Sequence, residues 1–299
     1  YSVISQEHGI FTPNPAKRGR KEQDMLFDAL GIKDPESEWI PGSEITRATW
    51  PFPWKKSQST DTHMRICQIL PEQMEKIVAH SKTKGVTVND LILTAYYRAM
   101  LELGPSVFCE PMEISVTVDL RRYLPDNKTE AIRNFSGSEI AKVTLSPGEA
   151  FDETLSKVRT AMQDIKNARP GLQSAIGLER IEKLPFSETL AYYRMISEWP
   201  NYCSDKCAPV LSNLGIISKD VIKFGNVSAI EAYIVPPVVK APGFLLMTST
   251  YKGIMTLAAG FYDGSVRLEV VEKLLNRIKD ELIEGCRQQQ NNNFSQQEA

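Results

Sequence analysis

The chain has 299 residues, 42% of them hydrophobic and 24% charged, with a formal net charge of -2. That length can bury one large core or two small ones, and the mixed charge gives no electrostatic reason to expect nucleic acid or anionic lipid as a partner. No apolar run reaches the roughly 20 residues that a bilayer crossing requires, and the stretch from Tyr1 to His8 has neither the basic nor the apolar region of a secretion signal.

These features predict a cytoplasmic protein without a membrane span. The start at Tyr1, in a stretch that reads like the middle of something, predicts a piece of a longer polypeptide. Five cysteines, Cys67, Cys109, Cys203, Cys207 and Cys286, are an odd number without a framework spacing, which predicts reduced thiols. Cys203 and Cys207 lie four apart, but no further Cys or His stands near them, so they read as free thiols near a helix end and not as metal ligands.

In chain order, residues 1–60 are rich in Pro, Lys and Arg, with Trp39, Trp50, Phe52 and Trp54 set among prolines. Their lack of helix or strand periodicity predicts an irregular crossover that lays aromatic side chains on a neighbouring surface. A strand follows from Thr62 to Leu70, and Pro71 opens a helix that Gly85 ends. Thr87 is the predicted N-cap of the next helix, with Asp90 three residues on, and Leu91 to Leu101 is apolar on nearly every face, the mark of a buried helix.

Strands are predicted over Met112 to Leu120 and Ile140 to Leu145, and a helix from Pro147 with Phe151, Leu155, Val158, Met162 and Ile165 on one stripe. Residues 171–200 read as mostly helical. The last third holds strand-like runs at Val210 to Ile217, Val227 to Ile234, Phe244 to Tyr251 and Ile254 to Tyr262, the last two joined by a two-residue turn at Lys252-Gly253. Ser265 to Cys286 is a long amphipathic helix, and residues 288–299 have the composition of a disordered polar tail. The order mixes crossovers with hairpins, so the predicted class is α+β, a mixed sheet covered by helices on one face, in a lobe over residues 61–287.

The chain contains no phosphate-binding loop, dinucleotide fingerprint, zinc-protease helix or nucleophile elbow. Of the three histidines, His8 sits in an unstructured-looking stretch, His63 begins a strand, and His80 lies near a helix C-terminus, where a protonated imidazole would suit the dipole. No Ser, Asp or Cys is placed to form a triad with any of them.

Four short stretches carry a family likeness: Val86-Thr-Val-Asn-Asp-Leu-Ile-Leu93, Val116-Thr-Val-Asp-Leu-Arg121, Leu211-Ser-Asn-Leu-Gly215 and Phe261-Tyr-Asp-Gly264, with Asn134-Phe-Ser-Gly137 between the second and third. In this order they resemble the C-terminal portion of condensation domains and of the acyltransferases on the chloramphenicol acetyltransferase fold. The resemblance implies an enzyme that moves an acyl group from a thioester to an amine or alcohol. It also implies an upstream His-His-x-x-x-Asp-Gly motif whose second histidine acts as base or positions the acceptor, and no histidine of this chain stands in such a motif.

By the same resemblance Arg121 braces the aspartate of that motif, so its partner is expected to lie outside the chain; a surface arginine at a strand end is the other reading. Ser212 and Asn213 are candidate oxyanion or tunnel residues, and a turn-and-packing role fits them equally. Met247 and Thr248 are candidate lining for the acyl path, with core packing the stronger reading for Met247. Thr87, Asn89 and Asp90 read as a helix cap. The implied co-substrate is an acyl-CoA or the phosphopantetheine thioester of a carrier protein, and the implied partners are a missing N-terminal lobe or second chain and a small-molecule acyl acceptor. The alternative is a non-catalytic scaffold of the same fold that binds a hydrophobic ligand or a protein.

Overall fold

The computed structural model describes residues 20–43, 46–104, 108–128, 134–198 and 206–297. Helix α1 (Arg20–Leu30) comes first, inside the segment expected to be irregular. Its Leu26, Phe27 and Leu30, with Ile32 beyond, are buried in a small second core with Leu120, Phe135, Leu172 and Ile176. The expectation of aromatic side chains laid on a surface holds for Trp50, Phe52 and Trp54, which enter the main core.

Strand β1 (Thr62–Ile69) leads into α2 (Pro71–Lys84), where Pro71 occupies the first turn and Gly85 takes the left-handed conformation (φ 62°) that ends the helix. In α3 (Val88–Leu103) the predicted cap is formed reciprocally: Asp90 N–H donates to Thr87 Oγ1 at 3.1 Å, and Thr87 N–H donates to Asp90 Oδ2 at 2.8 Å. Strands β2 (Pro111–Asp119) and β3 (Ser136–Thr144) pair antiparallel. Helix α4 (Phe151–Asn167) starts four residues later than predicted, because Ser146, Pro147, Gly148 (φ 71°) and Glu149 form a turn ahead of it. Helices α5 (Leu172–Glu182) and α6 (Phe186–Glu198) follow.

Strand β4 (Ala208–Ile216) precedes a short hairpin of β5 (Lys223–Phe224) and β6 (Val227–Ser228). The strand expected to continue to Ile234 stops at Ser228. The chain beyond crosses the sheet instead of joining it: Ile234 N–H donates to Ser249 Oγ at 3.1 Å, and Val238 packs over Gly260. The apolar residues Val227, Ile230 and Ile234 of the expected strand are exposed, so the apolar content that suggests a strand does not mark one packed on the core. Strands β7 (Gly243–Tyr251) and β8 (Ile254–Tyr262) form the predicted hairpin, with Lys252 and Gly253 both at positive φ (48° and 78°), as a two-residue turn requires. Helix α7 (Leu268–Gln297) closes the chain. Its backbone is helical through the Gln/Asn run where composition predicts a tail; extending a formed helix avoids the cost of nucleation.

Among the described residues the main sheet has six strands in the order β1-β8-β7-β4-β2-β3. The central trio β2, β4 and β7 runs parallel, and the other neighbours are antiparallel. This is the α+β mixed sheet expected from the sequence. One face packs on α3, α4 and α7: Ile114, Val116, Leu211, Phe244, Leu246, Leu257 and Ala259 share a core with Leu91, Tyr97, Val158 and Leu275. Tyr97 fixes α3 to the sheet by donating to Ala141 O at 2.8 Å.

His80 is buried, and that burial lowers its pKa, with Asp152 opposing and Lys84 reinforcing the shift. A protonated imidazole at this helix end is therefore not what the fold favours, contrary to the dipole reading. The last turn of α2 is exposed at Lys82 and Thr83, but the face that carries His80 is packed, and desolvation there is the largest cause of the shift.

Glu113 on β2 has a side chain only 1% exposed. It accepts from Arg47 N–H at 2.9 Å, Arg47 Nε at 2.8 Å and Arg47 Nη2 at 2.5 Å, with Lys142 Nζ at 3.3 Å. Burial would raise its pKa, but the Arg47 and Lys142 contacts outweigh burial and hold it below the ordinary 4.5. The fold therefore binds the carboxylate form preferentially. That contribution is present above the ordinary value and is lost as pH falls through the depressed one. Glu113→Gln is expected to cost about 1–3 kcal/mol at pH 7, held to that range because Arg47 and Lys142 are half-exposed. It should also flatten the acid limb of stability below pH 4.5, measured by urea titration from pH 7 to 3; a variant with the wild-type acid limb would remove Glu113 from this role.

Candidate functional site

The carboxyl ends of the parallel strands meet where β4 lies between β2 and β7. Parallel pairing of β2 with β4 covers Ser115↔Val210 and Val116↔Leu211, whereas β2 continues to Asp119. Pairing of β4 with β7 continues through Ser212↔Met247 and Asn213↔Thr248 before a register shift. Ligands of open sheets with parallel strands gather at such ends, beyond the last shared hydrogen bonds.

Strand alternation divides the residues singled out from the sequence. Ser212 and Met247 are neighbours on the face turned away from α3, α4 and α7, both largely buried. Thr117 joins them, its hydroxyl 3.2 Å from Ser212 Oγ as donor. Since Ser212 Oγ accepts that bond, its own proton remains available for an acceptor above this face. Thr117 was missed in the sequence; its signal is the alternation Val116-Thr117-Val118, which puts it on the same side as Ser212.

Asn213 and Thr248 lie on the opposite, helix-covered face. Asn213 Nδ2 donates to Asn89 Oδ1 at 3.3 Å, tying β4 to the first turn of α3, and Asn213 Oδ1 accepts from Gly215 N–H at 3.0 Å. Thr248 is fully buried and its Oγ1 has no hydrogen-bond partner. Ser212 and Asn213 therefore do not converge on one oxyanion. The contacts of Asn213 are those of a turn and of packing, and Ser212 alone of the pair faces the outer surface. Asp90, beside Asn89, is buried with one carboxylate oxygen engaged by the cap; its Oδ1 has no hydrogen-bond partner, and Lys166 Nζ stands 3.8 Å from Oδ2.

Arg121 follows β2 in a single 3-10 turn. Its guanidinium, 40% exposed, pairs with Asp119 Oδ1 at 3.1 Å and lies 5.5 Å from the Phe135 ring centroid. It thus has an acid within the chain, two residues earlier, where an external partner was expected. Asp119 also accepts Arg121 N–H at 3.0 Å, so the carboxylate caps the turn and holds the guanidinium together. The half-exposed pair leaves guanidinium donors open to a further group.

The outer face is only partly covered. Val210 and Thr117 are half-buried there, and Leu214, ahead of the register shift, is 46% exposed. His63 accompanies Asp263 at 3.1 Å, but this pair sits where β1 begins and β8 ends, toward the other end of the sheet from Ser212. Among the described residues no three His, Cys, Asp or Glu side chains are placed to hold a metal ion, and no helix is long and apolar enough to cross a membrane. Cys203 lies outside the described residues, so its relation to the buried Cys207 is not part of the site.

No family model matches the sequence, and no curated protein matches it. Solved structures do match its fold. The chain is similar to the epimerization domain from the third module of tyrocidine synthetase B, with 12% identity and a TM-score of 0.60, covering 94% of this chain and 61% of that one. It is similar to the TRI3 trichothecene 15-O-acetyltransferase from Fusarium sporotrichioides, with 15% identity and a TM-score of 0.59, covering 95% and 55%. It is also similar to polyketide synthase associated protein 5 from Mycobacterium tuberculosis, with 14% identity and a TM-score of 0.58, covering 94% and 64%. The fold is that of condensation domains and chloramphenicol acetyltransferase-like acyltransferases, and the chain spans 55–64% of the length of these structures.

Proposed function

We propose that this chain is the C-terminal portion of a two-lobed acyltransferase or condensation-type enzyme that moves an acyl group from a thioester to an amine or alcohol. One observation supports the reading most: a partly covered sheet face at the ends of parallel strands, where Ser212 keeps a proton free and Leu214, two residues on, stands exposed. A second lobe closing over that face would exclude water and complete a cleft.

In the proposed reaction the acceptor's lone pair attacks the thioester carbonyl carbon, and its proton passes to a base on the second lobe. Ser212 donates to the oxygen that gains charge; the carbon–sulfur bond then breaks, and the sulfur leaves as a thiol with a proton returned to it. The donor is an acyl-CoA or the phosphopantetheine arm of a carrier protein. His80 is buried and His63 is at the far end of the sheet, so neither is positioned to be the base, and the isolated chain should turn over slowly if at all.

A second reading, a non-catalytic scaffold on the same fold that binds a hydrophobic ligand or a protein, draws support from the internal Arg121–Asp119 pair. One assay separates the two. The polypeptide encoded with this chain and its upstream continuation is tested for transfer from acyl-CoA and acyl-pantetheine to amines and alcohols. Transfer at least about 10²-fold faster than by this chain alone is expected, lost on replacing an upstream histidine of a His-x-x-x-Asp-Gly motif. A start codon next to Tyr1, or no transfer by the longer polypeptide, would overturn the enzyme reading in favour of the scaffold.

A further inference from the structure

Where β4 parts from β2, a crevice of about 410 Å³ opens between the end of β2 and the last turns of α4. Its floor is apolar, built from Val116, Val118, Met162 and Ile165. Its rim is cationic, with Arg122 on one side and Lys166 on the other. The volume falls within the range of sites for small organic ligands.

The charges at this rim are unevenly satisfied. Arg122 is exposed, lies 5.8 Å from the Tyr123 ring centroid, and has no carboxylate within ion-pair distance among the described residues. Lys166 reaches only to 3.8 Å from Asp90, a long contact. The carboxylate that does line the crevice, Asp119, is already engaged by Arg121 and by its backbone N–H. The mouth therefore carries positive charge in excess over an apolar floor. A guanidinium with its fork open matches a carboxylate or phosphate.

We infer that this crevice binds an anionic amphiphile, a carboxylate or phosphate head seated between Arg122 and Lys166 with an apolar chain lying on Val118, Met162 and Ile165. The inference concerns ligand binding by the chain itself and stands apart from the acyl-transfer reading, since it needs no second lobe and no turnover.

Calorimetric titration of this chain with four probes tests it: octanoate, octyl phosphate, octanol and inorganic phosphate. Saturable binding of both octyl anions is expected, at least tenfold tighter than octanol or inorganic phosphate, because each control lacks one half of the match. Arg122→Ala should weaken both anions tenfold or more, and Arg122→Lys less; Ile165→Asn should weaken the octyl anions and leave inorganic phosphate unchanged. Arg122 is a surface residue, so its variants should keep the wild-type melting temperature. Equal affinity for octanol and octanoate, or an Arg122→Ala variant that binds as the wild type does, would overturn the proposal. If octyl phosphate binds and octanoate does not, the site is specific for phosphate heads, which supports the proposal in narrower form.

Discussion

Trp50→Ala is expected to destabilise the fold by about 3–5 kcal/mol. Trp50 is 1% exposed and packs against Tyr97 with ring centroids 5.6 Å apart. Its indole Nε1 donates to Glu113 O at 2.8 Å, so truncation leaves both a large void and a buried carbonyl without its donor. Its backbone also forms a bridge with Cys207, closing the N-terminal crossover onto the start of β4. Against a typical total of about 5–15 kcal/mol, such a loss should lower the urea midpoint by roughly 1–2 M. Ile40→Ala, at an exposed site in the same crossover, should stay within about 0.5 kcal/mol. A Trp50→Ala variant within 1 kcal/mol of wild type would show that the crossover is not part of the folded core.

The second large effect concerns Ser212. In the longer polypeptide proposed above, Ser212→Ala should lower kcat by about 10²–10³-fold, the usual effect of removing one oxyanion donor. KM should change little, because the charge that Ser212 stabilises develops only in the transition state. Thr117→Val should give a smaller fall in kcat, since it removes the donor that orients the Ser212 hydroxyl without touching substrate. Asn213→Ala should act on stability and not on kcat, since its side chain joins Asn89 on the other face. If Ser212→Ala keeps full kcat, the hydroxyl row is packing and the oxyanion donor lies elsewhere.

Much of the architecture is legible in the sequence, for reasons that particular residues show. Cap and turn chemistry at Pro71, Gly85, Thr87-Asp90 and Lys252-Gly253 is local, so the residues alone determine it. Helix α1 is not legible because its apolar residues, Leu26, Phe27 and Leu30, are few and follow a run of Lys, Arg and Pro; they find cover only in tertiary packing on Leu120 and Phe135. The run after Ser228 reads as a strand from its apolar content, yet Ile230, Ile234 and Val235 are exposed, and whether such a run joins the sheet is decided by pairing that the residues do not spell.

The site is harder to read. Adjacent positions in a motif look like partners, yet a strand sends Ser212 and Asn213 to opposite faces, and the motif spelling does not show which of them is turned outward. The pairing of Arg121 with Asp119 was within reach, two residues apart, but the 3-10 turn that folds the side chain back appears only in three dimensions. The crevice beside Arg122 depends on where β4 leaves β2, which is a matter of register and not of composition.

The pairing of β1 with β8 has a consequence for biosynthesis. Ile69 lies opposite Met255 and Thr62 opposite Tyr262, so the first strand of the sheet obtains its neighbour from the last. On a ribosome adding about 5–20 residues each second, β1 would wait roughly 10–40 s, its hydrogen-bonding edge unclaimed, before β8 is made. During that interval a chaperone that occupies the open backbone edge of β1 would do for the nascent chain what β8 does for the finished one.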